Sequence, residues 1–197
     1  MTYVLGLTGS IGMGKSMTAQ MFANHGVPIW DADAVVRKLY VTGGLGATLI
    51  AQYYPEAIED RAVSRSKLRK LIEVNPNVLD EIQTLIHPLV AADRAAFLIN
   101  ATAKVVLLDI PLLFEMGTDV LCDSIIVVSV PAHIQKNRVL ARNEMTEIDF
   151  KLLLARQLPD AQKRSKARWV ISTLTLDGAQ SHVKDILTEI DKDLANA

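Results

Sequence analysis

Five short apolar runs lie along the chain, separated by longer stretches in which apolar residues recur at helical spacing. The runs at residues 3–8, 27–30, 104–108, 124–130 and 169–171 predict β-strands. The third and fourth runs are continuously apolar in their centres, which is typical of strands buried on both faces. Alternation of such strands with helices predicts an α/β fold whose parallel sheet is covered on both faces.

Helical periodicity fills the segments between the strands. Residues 15–24 predict one helix, and residues 34–103 are mostly helical, with breaks at their prolines. Thr146 and Asp149 have the spacing of a helix-start capping pair, so two helices are expected between residues 131 and 167. The last helix is amphipathic, with an apolar face formed by Val183, Ile186, Leu187, Ile190 and Leu194.

Composition indicates a globular chain with balanced charge. Of the 197 residues, 50% are hydrophobic, and 21 Lys and Arg face 22 Asp and Glu for a net charge of −1. This balance disfavours a nucleic-acid partner or a polybasic membrane surface. The charge is locally uneven, because residues 136–168 carry nine basic against four acidic side chains, a local net charge of +5. That segment is where we expect an anion to bind.

Targeting and redox signals favour a cytoplasmic location. No Lys or Arg precedes Lys15, so the N-terminus lacks the basic region of a signal peptide. The longest apolar stretch, at residues 105–114, is too short for a membrane helix and contains Asp109. The single Cys122 cannot form an internal disulfide and is expected to be a small buried residue.

A glycine-rich segment from Gly9 to Ser16 matches the phosphate-binding pattern G-x-x-x-x-G-K-[ST]. It lies between the first strand and the first helix, where its glycines let backbone N–H groups point inward and the helix N-terminus adds positive potential. Lys15 is placed to reach the β- and γ-phosphates, and the Ser16 hydroxyl to coordinate magnesium. The segment therefore predicts a nucleotide-phosphate site.

Two acidic residues follow the second strand. Asp31 and Asp33 lie where open α/β sheets form ligand sites, outside the carboxyl ends of the strands. One is expected to accept the proton of a substrate hydroxyl, and the other to hold magnesium through water. The structural alternative is that one acid caps the helix beginning near Ala34 and that Asp33 pairs with Arg37. Next to a P-loop, we favour the functional interpretation.

Other residues supply further groups that a kinase needs. Asp109 ends the third strand, the position of an acid that supports magnesium opposite the P-loop. Arg138 and Arg142 share a helix face and are suited to clamp phosphates, although a solvated basic face is the better assignment for any single cation there. His87 precedes a proline and either contacts the substrate or marks a helix start. The histidines show no zinc-ligand spacing.

Several segments, in order and spacing, resemble the dephospho-CoA kinase family. They are Leu7-Thr-Gly-Ser-Ile-Gly-Met-Gly-Lys-Ser16, Asp31-Ala-Asp33 with Arg37, Ile86-His-Pro88, Asp109-Ile-Pro-Leu-Leu-Phe-Glu115, Arg138 through Arg142, and Gln157-Leu-Pro159. The resemblance implies a three-layer P-loop NTPase fold with a five-stranded parallel sheet. It also implies transfer of the ATP γ-phosphoryl group to the ribose 3′-hydroxyl of dephospho-CoA, the last step of coenzyme A synthesis, with Mg²⁺.

The resemblance implies roles for individual residues. Asp33 is similar to the general base of the family, and Arg138 and Arg142 to lid arginines that act with Lys15. The implied ATP site comprises Gly9, Ser10, Ile11, Gly12, Met13, Gly14, Lys15, Ser16 and Met17. The implied acceptor site comprises Asp31, Asp33, Arg37, His87, Leu113, Phe114 and Glu115. Ser16 and Asp109 are implied to hold magnesium, partly through water.

The resemblance also implies a division of the chain into three parts. Residues 1–33, 104–130 and 167–197 form a nucleotide-binding core, residues 34–103 a helical acceptor-binding insertion, and residues 131–166 a helical lid. The expected partners are ATP and dephospho-CoA, with neither nucleic acid nor membrane. The chain is expected to be a monomer or a weak homo-oligomer.

The last strand departs from the family pattern, and other functions stay open. Arg168 and Thr173 replace the acid and the asparagine of the family's Ala-Asp-x-Val-Ile-x-Asn. From the residues alone, the alternatives are another small-molecule P-loop kinase, such as an adenylate or shikimate kinase, and a non-catalytic nucleotide-binding regulator. A GTPase switch is disfavoured because the guanine-binding Asn-Lys-x-Asp pattern is absent from the sequence.

Overall fold

The computed structural model describes residues 2–141 and 145–196. Within these ranges the chain divides into two units, each with its own hydrophobic core. The first unit comprises the described residues up to Trp30 and those from Thr102 onward, and the second comprises Asp31–Ala101.

Seven strands and nine helices occur in the described ranges. The strands are β1 (Tyr3–Thr8), β2 (Ile29–Asp31), β3 (Ile58–Glu59), β4 (Ala62–Val63), β5 (Val105–Asp109), β6 (Ser124–Ser129) and β7 (Trp169–Ser172). The helices are α1 (Lys15–Asn24), α2 (Ala32–Tyr40), α3 (Leu45–Tyr53), α4 (Arg65–Val74), α5 (Asn77–Ile99), α6 (Ala132–Leu140), α7 (Glu147–Ala155), α8 (Asp160–Lys166) and α9 (Leu176–Ala195). Short 3₁₀ turns lie at Pro55–Ala57 and Thr118–Leu121.

The main sheet is parallel and has the strand order β2-β5-β1-β6-β7. The predicted α/β fold with a five-stranded parallel sheet is therefore confirmed. The central strand β1 has Leu7 in register with Asp109 of β5, and Thr8 in register with Val127 of β6. This register brings the start of the glycine-rich segment beside the acid that ends β5.

The core of the first unit explains why the central strands are so apolar. Every residue of β5 is buried, as predicted from its continuous run, and one sheet face packs against α1 and α9. On β1, a side chain at Gly6 would lie 2.7 Å from the Sγ of Cys122 and 3.3 Å from Leu113. Glycine is therefore needed there for close packing of the segment that follows β5.

The segment expected to hold two helices after Pro131 contains three, α6, α7 and α8. The predicted capping box is present at the start of α7, where Thr146 and Asp149 bond each other's backbone N–H groups. The extra boundary lies before Pro159, because a proline disfavours helical geometry in the residue that precedes it. All three helices belong to the first unit.

The second unit is helical, with a small hairpin that the sequence did not indicate. Strands β3 and β4 pair antiparallel around a turn in which Asp60 and Arg61 have φ values of 49° and 60°. Two-residue hairpin turns of this kind usually contain glycine. This turn contains none, so the sequence does not predict the hairpin. The core of this unit includes Ile50, Ile82 and Ile86.

Helix α5 is 23 residues long and contains Pro88 in its interior. The predicted break at this proline, and its assignment to a helix start, are wrong. An internal proline removes one N–H donor and costs stability, yet the many other bonds of a long helix can outweigh that loss.

Helix α5 also has enough length and apolar content to cross a membrane on composition alone, and the bent pair α2 and α3 passes the same test jointly. Charged residues such as Asp93 interrupt this stretch, so its apolar residues do not form one continuous run in the sequence. Part of the apolar content is explained by packing, since Val78, Ile82 and Ile86 of α5 are buried in the second unit. Asp93 forms an ion pair of 3.7 Å with Lys38.

Candidate active site

The glycine-rich segment after β1 forms a tight turn that leads into α1. The N–H of Met13 donates to the carbonyl of Ser10 at 3.1 Å, and Gly12 and Gly14 have φ values of 79° and 93°. These left-handed conformations favour glycine. Helix α1 begins at Lys15 with neither a side-chain cap nor an acidic residue in its first turn. Its first N–H groups therefore remain available to an anion.

Lys15 and Asp109 form the central ion pair of this site. Their Nζ and Oδ1 atoms are 2.6 Å apart, and the side chains are only 13% and 5% exposed. Because the register of β1 and β5 places Leu7 beside Asp109, the acid ends its strand close to the start of α1. The pair therefore holds the lysine ammonium near the phosphate-binding turn.

Ser16 and Asp109 are suitable ligands for a magnesium ion shared with nucleotide phosphates. Ser16 lies exposed in the first turn of α1, and the carboxylate of Asp109 lies close to the start of the same helix through its contact with Lys15. Among the described residues, no group of three His, Cys, Asp or Glu side chains could enclose a metal. Magnesium often binds through one or two protein oxygens together with substrate phosphates and water, so this donor set fits it.

A cavity of about 220 Å³ opens beside the glycine-rich turn. Its walls come from that turn, from α1, from α6 and from the segment between β7 and α9. Residues that line it include Gly14, Met17, Met21, Arg138, Thr173 and Leu176. The walls are mainly apolar with a few polar groups at one side, which suits a planar heterocycle whose phosphates extend toward the turn.

Arg138 projects from α6 onto the segment after β7. Its guanidinium group donates to the Oγ1 of Thr173 at 3.1 Å and to the carbonyl of Thr173 at 2.7 Å. The Thr173 hydroxyl in turn donates to the carbonyl of Met13 at 2.7 Å. Thr173, which stands in place of the family's asparagine, therefore joins this arginine to the phosphate-binding turn. The other predicted lid arginine, Arg142, lies outside the described residues.

Arg168, the second departure from the family pattern, lies at the start of β7 and away from the segment that lines the cavity. It donates to Glu189 and Asp193 of α9 at 2.6 and 2.7 Å and stacks 4.2 Å from the ring of Trp169. Hydrogen bonds to Asp193 and then Glu189 raise the pKa of Arg168. Bonds from Trp169 and then Arg168 lower the pKa of Glu189. The arginine therefore stabilises the contact between β7 and α9.

The segment after β5 contains three residues expected at the acceptor site, and the structure shows what each contacts. Leu113 is fully buried, so its side chain packs in the core, and its contact with the acceptor stays a prediction. The ring of Phe114 lies 5.4 Å from the Nζ of Lys166. Glu115 forms an ion pair of 2.8 Å with Lys163, whose side chain is fully buried. Lys163 was not identified from the sequence.

The Glu115 carboxylate is also bonded by the backbone. It accepts a hydrogen bond of 2.7 Å from the N–H of Leu158, and Lys163 makes a further contact of 3.3 Å to the carbonyl of Pro111. Desolvation is the largest effect on the pKa of Glu115 and acts to raise it, but the hydrogen bonds from Lys163 and Leu158 outweigh it and lower the pKa. The carboxylate therefore links the segment after β5 to Leu158 and Lys163, and its contact with the acceptor stays a prediction.

The remaining predicted acceptor residues lie in the second unit. Asp31 caps α2 by accepting a 2.9 Å bond from the N–H of Ala34, and Arg37 donates to its other oxygen at 3.3 Å. Arg37 thus pairs with Asp31 and not with Asp33, contrary to the structural alternative. Asp33 is exposed in the first turn of α2 and bonds to none of the described residues. His87 is exposed on α5.

Comparison with known proteins places these features in a family context. A family model for dephospho-CoA kinase matches residues 3–176 of the chain. A dephospho-CoA kinase from Cereibacter sphaeroides is 48% identical over 186 residues, covering 94% of each protein. A dephospho-CoA kinase from Brucella melitensis is 44% identical over 189 residues, again covering 94% of each.

Solved structures show the same fold. The protein TT1252 from Thermus thermophilus is similar with a TM-score of 0.79 and 28% identity, over 95% of this chain and 97% of that one. Dephospho-CoA kinase from Campylobacter jejuni gives a TM-score of 0.72 at 20% identity, over 98% and 99%. Shikimate kinase from Acinetobacter baumannii gives 0.52 at 17% identity, over 98% and 95%. The last two similarities concern the fold alone.

Proposed function

The chain belongs to the dephospho-CoA kinase family, and we propose that it transfers the γ-phosphoryl group of ATP to the ribose 3′-hydroxyl of dephospho-CoA. The observation that carries the proposal is the family match over residues 3–176, which includes the phosphate-binding turn, Asp33 and the segment after β5. The turn and the Lys15–Asp109 pair support ATP as phosphoryl donor. The identity of the acceptor rests on family membership.

Backbone and side chains of the first unit bind the nucleotide. The uncapped N-terminus of α1 and the glycine-rich turn supply N–H donors to the phosphates, and Lys15 adds a positive charge. The adjoining cavity accepts the base, with Met17 and Met21 against one face. Arg138 lines the cavity and is linked to the turn through Thr173, so its guanidinium group is placed to neutralise phosphate charge.

Binding of ATP changes the partner of Lys15. In the structure its ammonium group is paired with Asp109 at 2.6 Å, so a phosphate must compete for it. The Asp109 carboxylate, partly through water, and the Ser16 hydroxyl would hold magnesium together with these phosphates. When bound, magnesium shields the charge on the phosphate oxygens.

Asp33 acts as the general base that takes the proton of the acceptor hydroxyl. Asp31, the last residue of β2, is occupied by the cap of α2 and by Arg37, whereas Asp33 is exposed and bonds to none of the described residues. Asp31 and Arg37 therefore position the start of α2. The contacts of His87 and of Phe114 with the acceptor are separate proposals that rest on family membership. General bases of this kind contribute about 10²- to 10⁴-fold in rate.

An assay of product formation tests the function. The protein is incubated with Mg-ATP and dephospho-CoA, with adenosine and shikimate as alternative acceptors, and coenzyme A is measured. Formation of coenzyme A alone supports the proposal. ATP binding without any product would favour the nucleotide-binding regulator, and phosphorylation of another acceptor would favour a different small-molecule kinase.

Substitution Asp33→Asn tests the assigned base. The variant should fold and bind ATP normally and lose about 10²- to 10⁴-fold in kcat. Asp80→Asn is the matched control, because Asp80 is likewise an exposed acid in the first turn of a helix, α5. It should retain wild-type turnover. Wild-type kcat in Asp33→Asn would refute the role.

We also propose a cytoplasmic location, a monomeric or weakly associating state, and a requirement for Mg²⁺. Cell fractionation, light scattering after size exclusion and titration with a chelator test these three points.

A further inference from the structure

The peptide groups around Ile11, in the middle of the phosphate-binding turn, are held between two glutamines. The Nε2 of Gln135 donates to the Ile11 carbonyl at 2.7 Å, and the Oε1 of Gln157 accepts from the Ile11 N–H at 3.2 Å. The backbone partners fix how each amide is oriented, since a carbonyl needs a donor and an N–H needs an acceptor. Gln135 is buried, with 5% of its surface exposed.

These two bonds determine which way the neighbouring peptide groups face. In a trans peptide the C=O and N–H groups point in opposite directions, so a bond from Gln135 to the Ile11 carbonyl directs the Gly12 N–H away from α6. The same rule directs the Ser10 carbonyl away from Gln157, and that carbonyl accepts the N–H of Met13. If either peptide group rotated by about 180°, its carbonyl oxygen would take the place of its N–H group.

Glycine makes such a rotation accessible. Gly12 has a φ of 79°, and glycine occupies positive and negative φ with little difference in energy. The turn therefore needs external contacts to stay in the form that presents N–H groups. Close packing of helix α6 against Gly12 is a further contact of this kind, because a β-carbon at this position would lie only 2.5 Å from the Cγ2 of Val139.

The glutamines are themselves fixed by the surrounding structure. Gln135 lies in α6, the helix that also carries Arg138. Gln157 follows the end of α7, where its N–H donates to the Leu154 carbonyl, and the next N–H, of Leu158, donates to Glu115. Two elements of the segment proposed as the lid thus reach the same turn.

We propose that Gln135 and Gln157 are positioning residues that hold the Ile11 peptides so that the turn presents N–H groups to ATP. This inference rests on the proposed function, since it assigns a task within the same nucleotide site. Both glutamines bond to the backbone of the turn, so we expect their effect to be on ATP affinity.

Methionine substitutions remove each bond with little change in volume. Gln135→Met and Gln157→Met should each raise the dissociation constant and the KM for ATP by about 3- to 10-fold, the loss expected for one hydrogen bond. The KM for dephospho-CoA should stay within twofold of wild type. Gln162→Met is the control, since this side chain is exposed on α8, and it should leave both constants unchanged.

Glutamate substitutions test the direction of each bond. At pH 8, Gln157→Glu keeps an acceptor for the Ile11 N–H, whereas Gln135→Glu loses the donor and sets a carboxylate against a carbonyl oxygen. Both changes add one negative charge, and Gln162→Glu measures the effect of such a charge at the surface. ATP affinity should therefore fall at least fivefold more in Gln135→Glu than in Gln157→Glu.

The outcomes separate this inference from the proposed function. If wild-type protein binds no ATP and forms no coenzyme A, the proposed function fails. If wild-type protein is active and all four variants at 135 and 157 bind ATP within twofold of it, the inference is overturned. Equal losses in the KM for both substrates would also overturn it, because they indicate a general structural defect. If the methionine variants do not fold, the difference in ATP affinity between Gln135→Glu and Gln157→Glu tests the inference.

Discussion

Removal of the Glu115 carboxylate should destabilise the protein more than removal of its partner Lys163. The Lys163 side chain is fully buried, and its ammonium group has only the Glu115 carboxylate as an anionic partner among the described residues. Glu115→Met therefore leaves a buried positive charge with one carbonyl contact, at Pro111. Lys163→Met leaves a carboxylate that is 16% exposed and still accepts the Leu158 N–H.

The magnitude follows from burial and distance. At 2.8 Å and an effective dielectric constant of 20, the attraction between the two charges is about 6 kcal/mol, most of which offsets their desolvation. Removing one partner of a buried pair typically costs about 3–5 kcal/mol, and we expect this for Glu115→Met. For Lys163→Met we expect about 1–2 kcal/mol, because the remaining carboxylate keeps a backbone donor and some water.

Thermal and urea unfolding of the two single variants and the double variant measure these values. For a chain of this length, about 3–5 kcal/mol corresponds to a melting temperature lower by about 6–20 °C. The double methionine variant should recover to within about 2 kcal/mol of wild type, since an apolar pair replaces the ion pair. Equal and additive losses below about 1 kcal/mol would show that the pair is solvated, and would refute the reasoning.

The pH dependence of the stability difference between wild type and Glu115→Met provides a second check. The folded pKa of Glu115 is lowered, so the stabilisation by its charge is fully present above the unfolded pKa and is lost as the pH falls through the folded pKa. The difference in unfolding free energy between wild type and Glu115→Met should be constant from pH 6 to 8. It should shrink below about pH 4.5.

Three other substitutions test the nucleotide site. Lys15→Ala should weaken ATP binding and lower kcat by more than about 10²-fold, measured by calorimetry and steady-state kinetics, because it removes the charge beside the phosphates. Thr173→Val should raise the KM for ATP by about 3- to 10-fold with an unchanged KM for dephospho-CoA, because the Met13 carbonyl loses its donor. Arg168→Ala should lower the melting temperature slightly and leave the KM for ATP unchanged, because its partners lie on α9.

The phosphate-binding turn could be predicted because its determinants are local in sequence. Glycine at position 14 and Lys15 at the start of α1 belong to one eight-residue pattern, and the structure adds the positive φ values that favour glycine at positions 12 and 14. The position of Asp109 near the turn could also be predicted from the sequence, because parallel strands end at one edge of a sheet. In the structure β1 pairs with β5, and Asp109 contacts Lys15.

Contacts between segments that are distant in sequence could not be predicted in the same way. Lys163 lies 48 positions after Glu115, and nothing in either local pattern distinguishes this lysine from the exposed cations around it. The two glutamines that bond Ile11 carry no charge or periodicity that would mark them. Similarly, Leu113 belongs to a segment that resembles a family motif, and the motif does not indicate that this side chain is buried in the core.

The basic segment at residues 136–168 shows how pairing alters an inference from charge. Its local net charge of +5 predicted an anion site, yet most of its cations have acidic partners in the structure. They are Lys136 and Lys151 with Glu147, Lys163 with Glu115, Arg164 with Asp160, and Arg168 with Glu189 and Asp193. Lys166 lies over the Phe114 ring. Among the described residues of the segment, Arg138, Arg156 and Lys166 have no acidic partner, and of these three Arg138 alone lines the cavity beside the turn. Pairing with acidic side chains therefore leaves Arg138 as the described cation of this segment that lies at the cavity, and the anion site itself stays a prediction.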